Sequence, residues 1–370
     1  MKAIYRCLVS ATLFLLINVL FIDKYSLRFT EWHWLFDIIY LVAGAGLIGL
    51  TVWLQKQEGP FRILLWVGIA VYTIVAICVQ YSIDPMSLQV DRWSAIHHFL
   101  DNLFQGIYPY AAQTHLGGYG SPFPIWQLLH IPFYLLGNVG LSFFAVLVFF
   151  LYTLSRCESY RTAFIALLWI ICSPAINYEV VVRSDLFTNF MLMCAICEWL
   201  RYKNVSLDAH LYSIAILAGL CSSTRFAAVI PLAFLYGFSF LKLDFRKQLG
   251  FASTTIGIFA LTFAPFAIWD IDQMLFFQYN PFVLQTRQGG SIAFLLFTIV
   301  AIGWTLYQKD HLQHYFLHTG GLLMILVVIA FASTMIRTGN YYLYSSQYDI
   351  TYFNMTLPFY LCAIAIRSTP

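Results

Sequence analysis

Apolar blocks too long for any water-facing element limit this chain more than any other feature. "LVSATLFLLINVLF", "IIYLVAGAGLIGLTVWL" and "LLWVGIAVYTIVAICV" each run without a single charge. About 20 such residues cross the roughly 30 Å hydrocarbon core of a bilayer, and a soluble helix would show an apolar stripe instead. Charged residues make up 10% of the 370 residues, too few to cover a globular surface, for which about 25% is usual. The chain therefore reads as an all-α polytopic membrane protein, with residues 1–370 forming a single transmembrane domain.

About twelve spans can be placed, at residues 7–22, 34–54, 63–83, 139–155, 162–177, 185–200, 209–222, 226–241, 249–269, 291–307, 315–336 and 353–367. The first resembles a secretion signal, but no small-residue cleavage site follows Ile22, so it is read as a retained helix. With the amino terminus inside, the inner segments hold thirteen of the twenty basic residues, among them Arg156, Arg201, Arg246, Lys309 and Arg367. The positive-inside rule favours this orientation. The absence of an organelle-targeting motif and the compact loops favour a bacterial inner membrane. Residues 122–137, "PFPIWQLLHIPFYLLG", are apolar enough to be counted as another span, which would reverse everything after them. Three prolines break the run, so it is placed at the outer interface or as a re-entrant piece. Cys194 and Cys197 form a C-x-x-C one turn apart on an expected span, which fits packing better than redox chemistry.

Residues 84–138 make the longest segment outside the expected spans, and loops of that length usually carry function. Asp84-Pro85 is a good helix start, and apolar residues recur from Met86 to Phe104 until Gly106. This spacing predicts an interfacial amphipathic helix. Its polar face would carry Asp91, Ser94, His98 and Asp101, a set able to hold a general base at the membrane surface. The following segment, rich in Gly, Pro, Tyr and Trp, suits a turning cavity rim anchored at headgroup level. No nucleotide-binding signature occurs, which argues against a soluble nucleotide-sugar site and against nucleic-acid partners.

An acidic residue, then "FLDNLFQGIYPY", then "GGYGSPFPIWQLLHIPFYLLG", resembles the first extracytoplasmic loop of the GT-C superfamily of membrane glycosyltransferases, especially its bacterial mannosyltransferase-like branch. The matching positions are Asp91, Gly106, Tyr108, Pro109, Tyr110, Pro122 and Pro124. The resemblance implies transfer of a sugar from a polyprenyl-phosphate donor to a glycan or lipid-linked acceptor on the extracytoplasmic side, with Asp91 as catalytic base. The loop follows the third expected span here, where many relatives carry it after the first. The acid stands alone in "VDRW" rather than paired, so no metal ligand is assigned and the part of a divalent metal is left open.

Charged groups at span ends are costly and usually face a cavity. Arg225 and Arg183 are candidates for the donor phosphate, with Arg287 and Arg337 behind them, because arginine binds phosphate bidentately. Asp185 is grouped with Ser94, His98, Asp101, Tyr108 and Tyr110 as substrate-contacting. Residues 270–290 form a second outer loop, and "GNYYLYSSQYDITYF" fits either a sugar groove or an interface belt. Asp37 fits a structural place at the outer rim, and His311, His314 and His318 an inner interfacial stripe. A transporter or flippase is the alternative reading, but the internal repeat it would bring is not visible.

Overall fold

The computed structural model describes residues 2–287, 290–307, 314–345 and 347–366. Lys309, Arg367 and His311 lie outside the described residues. Among those described, the chain is all-helical apart from one isolated bridge between Gln113 and Tyr119. The helices are α1 (Lys2–Ser26), α2 (His33–Leu54), α3 (Phe61–Ser82), α4 (Arg92–Gln105), α5 (Pro124–Leu129), α6 (Ile131–Leu135), α7 (Ser142–Cys157), α8 (Tyr160–Ile171) and α9 (Pro174–Val181). They continue as α10 (Leu186–Tyr202), α11 (Leu211–Ser222), α12 (Ile230–Leu241), α13 (Phe245–Phe276), α14 (Pro281–Thr286), α15 (Gly290–Tyr307), α16 (Tyr315–Thr338) and α17 (Leu357–Ala365).

Six of the described helices or helical runs are long and apolar enough to cross a membrane: Tyr5–Ser26, His33–Leu54, Phe61–Ser82, Val139–Cys157, Phe245–Phe276 and Tyr315–Thr338. A seventh forms if α8 and α9 count as one broken span, bent by 74°. Three of the other expected spans are broken or shortened, while 185–200 and 291–307 form α10 and α15 and 353–367 becomes a 3₁₀ turn (Ile350–Met355) followed by α17. Ser173 caps α9 through Ile176 N, and Pro174 occupies its first position, so the expected span 162–177 breaks there. The expected pair 209–222 and 226–241 becomes α11, a 3₁₀ turn (Phe226–Val229) and α12, each too short to cross alone. Conversely, α13 runs past residue 269 to Phe276, kinked at Asp270, which turns part of the expected second outer loop into helix.

The exposed faces carry the same chemistry as the buried ones. In α3, Phe61, Leu65, Ile69, Tyr72, Ala76 and Gln80 form a buried stripe at three-to-four spacing, while Ile63, Val67, Val71 and Ile74 point outward with exposures of 55–65%. Outward-facing apolar helices of this kind fit a multi-pass membrane protein, since water would not tolerate so large an apolar patch. Helices pack closely where side chains are small. A Cβ on Gly219 would lie 2.7 Å from the Thr255 carbonyl oxygen of α13. All nine residues of α17 are buried, among α1, α8, α10 and α16. Gln55 Nε2 donates to the Ile364 carbonyl at 3.2 Å, and Arg6 donates to the Ile366 carbonyl, at the far end from the loops described next.

A second, smaller apolar cluster lies under the long loop. It joins Trp93, Ile96, Phe99 and Leu100 of α4 to Phe123 and Trp126, and to Phe263 and Phe266 of α13. This cluster fixes α4 against the bundle.

Candidate functional site

The expected amphipathic helix begins later than its sequence suggests. Asp84 caps only a 3₁₀ turn (Pro85–Ser87), through Met86 N at 3.0 Å, and α4 starts at Arg92. Asp91 occupies the position before the first helical residue, yet its side chain makes no capping bond. Its Oδ2 accepts instead from the Thr114 hydroxyl at 2.8 Å. That contact depends on the glycines of "QTHLGGYG". Thr114 N donates to the Gly118 carbonyl at 2.8 Å, Gly117 takes φ +79°, and a Cβ on Gly118 would stand 3.1 Å from Asp91 Oδ2. One carboxylate oxygen is thus oriented, and no hydrogen bond holds the other among the described residues.

Asp91 opens on a cavity of about 590 Å³. Five residues expected at the site line it together: Asp91, Asp185, Arg225, Arg287 and Arg337. They come from the residue before α4, the turn before α10, the turn after α11, the residue after α14 and the last turn of α16. Segments expected on one side of the membrane therefore meet at one end of the bundle. Arg92, Asp349 and Tyr352 line the cavity as well and were not singled out from the sequence.

Two ion pairs organise the walls. Arg225 Nη2 lies 2.5 Å from Asp185 Oδ2, with both side chains under 10% exposed, and Trp126 Nε1 donates to the same oxygen at 2.6 Å. Asp185 Oδ1 and Arg225 Nε are buried, with no hydrogen-bond partner among the described residues. Arg92 Nη2 lies 2.6 Å from Asp349 Oδ2 and donates to the Thr351 hydroxyl at 2.7 Å, while its guanidinium sits 5.3 Å from the centre of the Tyr352 ring. Burial works to raise the Asp349 carboxyl, but the Arg92 charge and the two Thr351 hydrogen bonds outweigh it and hold it below the usual carboxylate range. Arg287 and Arg337 are exposed, and no ion pair engages either among the described residues. Four arginines and three aspartates therefore line one space, and among the described residues Arg287, Arg337 and Asp91 are the ones of this set held in no ion pair.

The remaining expected residues lie elsewhere. Arg183, with φ 55°, turns its guanidinium to the carbonyls of Gln80 and Ile83 at the end of α3, where it caps a helix and does not line the cavity. Ser94 is fully buried, with its hydroxyl 2.9 Å from the Asp91 carbonyl and 2.8 Å from His115 Nδ1. His98 Nδ1 donates to the Gln113 carbonyl at 2.7 Å. Asp101 accepts from the Tyr134 hydroxyl at 2.6 Å, three turns along α4 from Asp91. Tyr108 and Tyr110 are packed into the small aromatic cluster. The polar face expected on this helix therefore spreads over separate surroundings, and only its first member reaches the cavity. Arg92 was hidden beside Asp91 in "VDRW", and its partner stands 257 residues away. The aromatic segment "GNYYLYSSQYDITYF", singled out as a groove candidate, was the available signal for Asp349 and Tyr352.

Comparisons with family models, with curated proteins and with solved structures each find no match to this chain.

Proposed function

We propose that the chain is a membrane glycosyltransferase of GT-C type, moving a sugar from a polyprenyl-phosphate donor to a hydroxyl of a glycan or lipid-linked acceptor. The observation that carries this reading is the meeting, in one cavity, of a carboxylate held by a single threonine hydrogen bond with two arginines, all three outside any ion pair among the described residues. Asp91 takes the proton from the acceptor hydroxyl, and the thread of hydrogen bonds through Thr114 and Gly118 keeps its oxygen aimed. The acceptor oxygen bonds to the anomeric carbon as the bond from that carbon to the phosphate oxygen breaks, which inverts the configuration. The departing lipid phosphate carries the electron pair away, and Arg287 and Arg337 stabilise the charge that grows on it.

In this reading Arg225 and Arg92 play a different part from the one expected of Arg225 alone. Each already faces a carboxylate, so they shape the wall and its potential while the two exposed arginines take the ligand. The lipid tail would run along the apolar outward faces of the neighbouring helices, and the active side would be extracytoplasmic, with the amino terminus in the cytoplasm. The test is transfer of labelled sugar from a short-chain polyprenyl-phosphate donor by purified protein, wild type beside Asp91→Asn, with and without chelator. Turnover lost in the variant supports the reading. Absence of turnover with every donor, together with accelerated passage of lipid-linked sugar across proteoliposomes, would replace it with a transporter.

A further inference from the structure

We propose that the α1–α2 hairpin holds a divalent transition-metal ion, with zinc the best match, on Asp23, His33 and Asp37, and that this ion fastens the loop 339–349 that forms part of the cavity wall. The three side chains each offer one ligand atom, and these atoms all lie within 4.8 Å of one another. His33 and Asp37 stand four residues apart on α2 and so share a face, and Asp23 reaches them from the last turn of α1. Bonds of about 2.0–2.2 Å in a tetrahedral zinc site hold two ligand atoms roughly 3.3–3.6 Å apart. The set would therefore close by about an ångström where it is widest, and the 2.5 Å contact between His33 and Asp23 would open by a similar amount. One imidazole with two carboxylates suits zinc better than the all-oxygen sites of magnesium or calcium.

The charges around these groups argue for a cation. Among the described residues Asp37 Oδ1 has no partner in hydrogen-bonding geometry, and it stands beside the Asp23 carboxylate, so two like charges crowd a space that a cation would relieve. The two basic residues near the turn between α1 and α2 face elsewhere. Lys24 Nζ donates to the Tyr348 carbonyl at 3.3 Å, and the Arg28 guanidinium lies over the Tyr25 ring at 4.9 Å. His33 Nδ1 sits 2.5 Å from Asp23 Oδ1, and Asp37 stands close to both.

The second carboxylate oxygen of Asp23 accepts from the Tyr344 hydroxyl at 2.6 Å. A partner of this kind outside the ligand set commonly orients a metal-bound carboxylate. Tyr344 belongs to the loop that also supplies Gln347 and Asp349 to the cavity, whereas Asp23, His33 and Asp37 do not line it. The ion would therefore act on the cavity through the loop, away from the reacting atoms.

The experiment uses the full chain in detergent, stripped with chelator and dialysed against Zn²⁺, with bound metal counted by mass spectrometry. Wild type and Asp91→Asn should both retain one ion per chain, and His33→Ala and Asp37→Asn should lose it. Equal retention by all four proteins, or loss in Asp91→Asn alone, would move the ion elsewhere and overturn the proposal. Since a variant can lose the ion by failing to fold, wild type alone supplies two further readings. Zn²⁺ should raise its Tm, and it should slow chymotryptic cleavage at Tyr341 and Tyr342, which are 71% and 61% exposed. No rise in Tm overturns the site, and a rise without protection of the loop overturns the fastening. These readings do not depend on sugar transfer, so they stand or fall separately from the enzymatic one.

Discussion

Asp91 stands where a helix normally takes its cap, and its side chain turns away to a threonine hydroxyl. The helix forgoes a capping bond commonly worth about 1 kcal/mol, a place where a small sacrifice of stability keeps a carboxylate available. Asp91→Asn should lower kcat by about 10²–10⁴-fold, the range usual for a lost general base, with the donor KM little changed. Thr114→Val should leave the base in place but unaimed, giving a smaller fall in kcat in the same transfer assay. Arg287→Ala and Arg337→Ala should lower kcat as well as weaken donor binding, since they meet charge that grows on the leaving phosphate, and the loss should shrink at high salt because both guanidinium groups are exposed. The buried pair behaves differently. Arg225→Ala leaves Asp185 charged and without its cation, and should cost about 3–5 kcal/mol in thermal unfolding, whereas replacing both partners with apolar residues should recover much of it.

Between elements, the sign of the pH effect follows from the Arg92–Asp349 bridge that ties α4 to the segment before α17. The Asp349 carboxyl is held below its ordinary value, so its contribution is fully present above the unfolded carboxylate value and is lost as pH falls through the folded one. Thermal melts from neutral pH into acid should fall more steeply in wild type than in Asp349→Asn. The contact between α11 and α13 gives a second check. Gly219→Val would press a side chain on a backbone oxygen that cannot move aside, and should lower Tm in the detergent-solubilised protein. Helix breaks were only partly legible in the sequence. The three prolines of 122–137 declare their break openly, and the structure answers with two short helices, α5 and α6. Ser173-Pro174 lies inside an unbroken apolar run, where the hydropathy that signals a span masks the cap that ends it. Likewise Met86 to Phe104 keeps helical spacing, but Asp84 spends its cap on a single turn, so the helix starts seven residues after Pro85.

At the scale of the whole molecule, charged residues at the ends of apolar blocks were the legible part of the site, because placing charge near a membrane needs a reason. Five of them meet in one cavity. The pairings among them were not legible, since Asp185 with Arg225 and Arg92 with Asp349 join segments with no local signature of each other. If the cavity faces outward, a cysteine placed at Leu116 should react with a membrane-impermeant maleimide in intact cells, and one placed at Lys203 should react only after permeabilisation. The burial of α17 bears on the order in which the chain is made. The helix that the others surround is made after α1, α8 and α10, so those helices wait with the faces they will close around it still unfilled. Assembly would then wait for α17, and a nascent chain stopped before Leu357 should be held by membrane chaperones and degraded, however well its earlier helices have inserted.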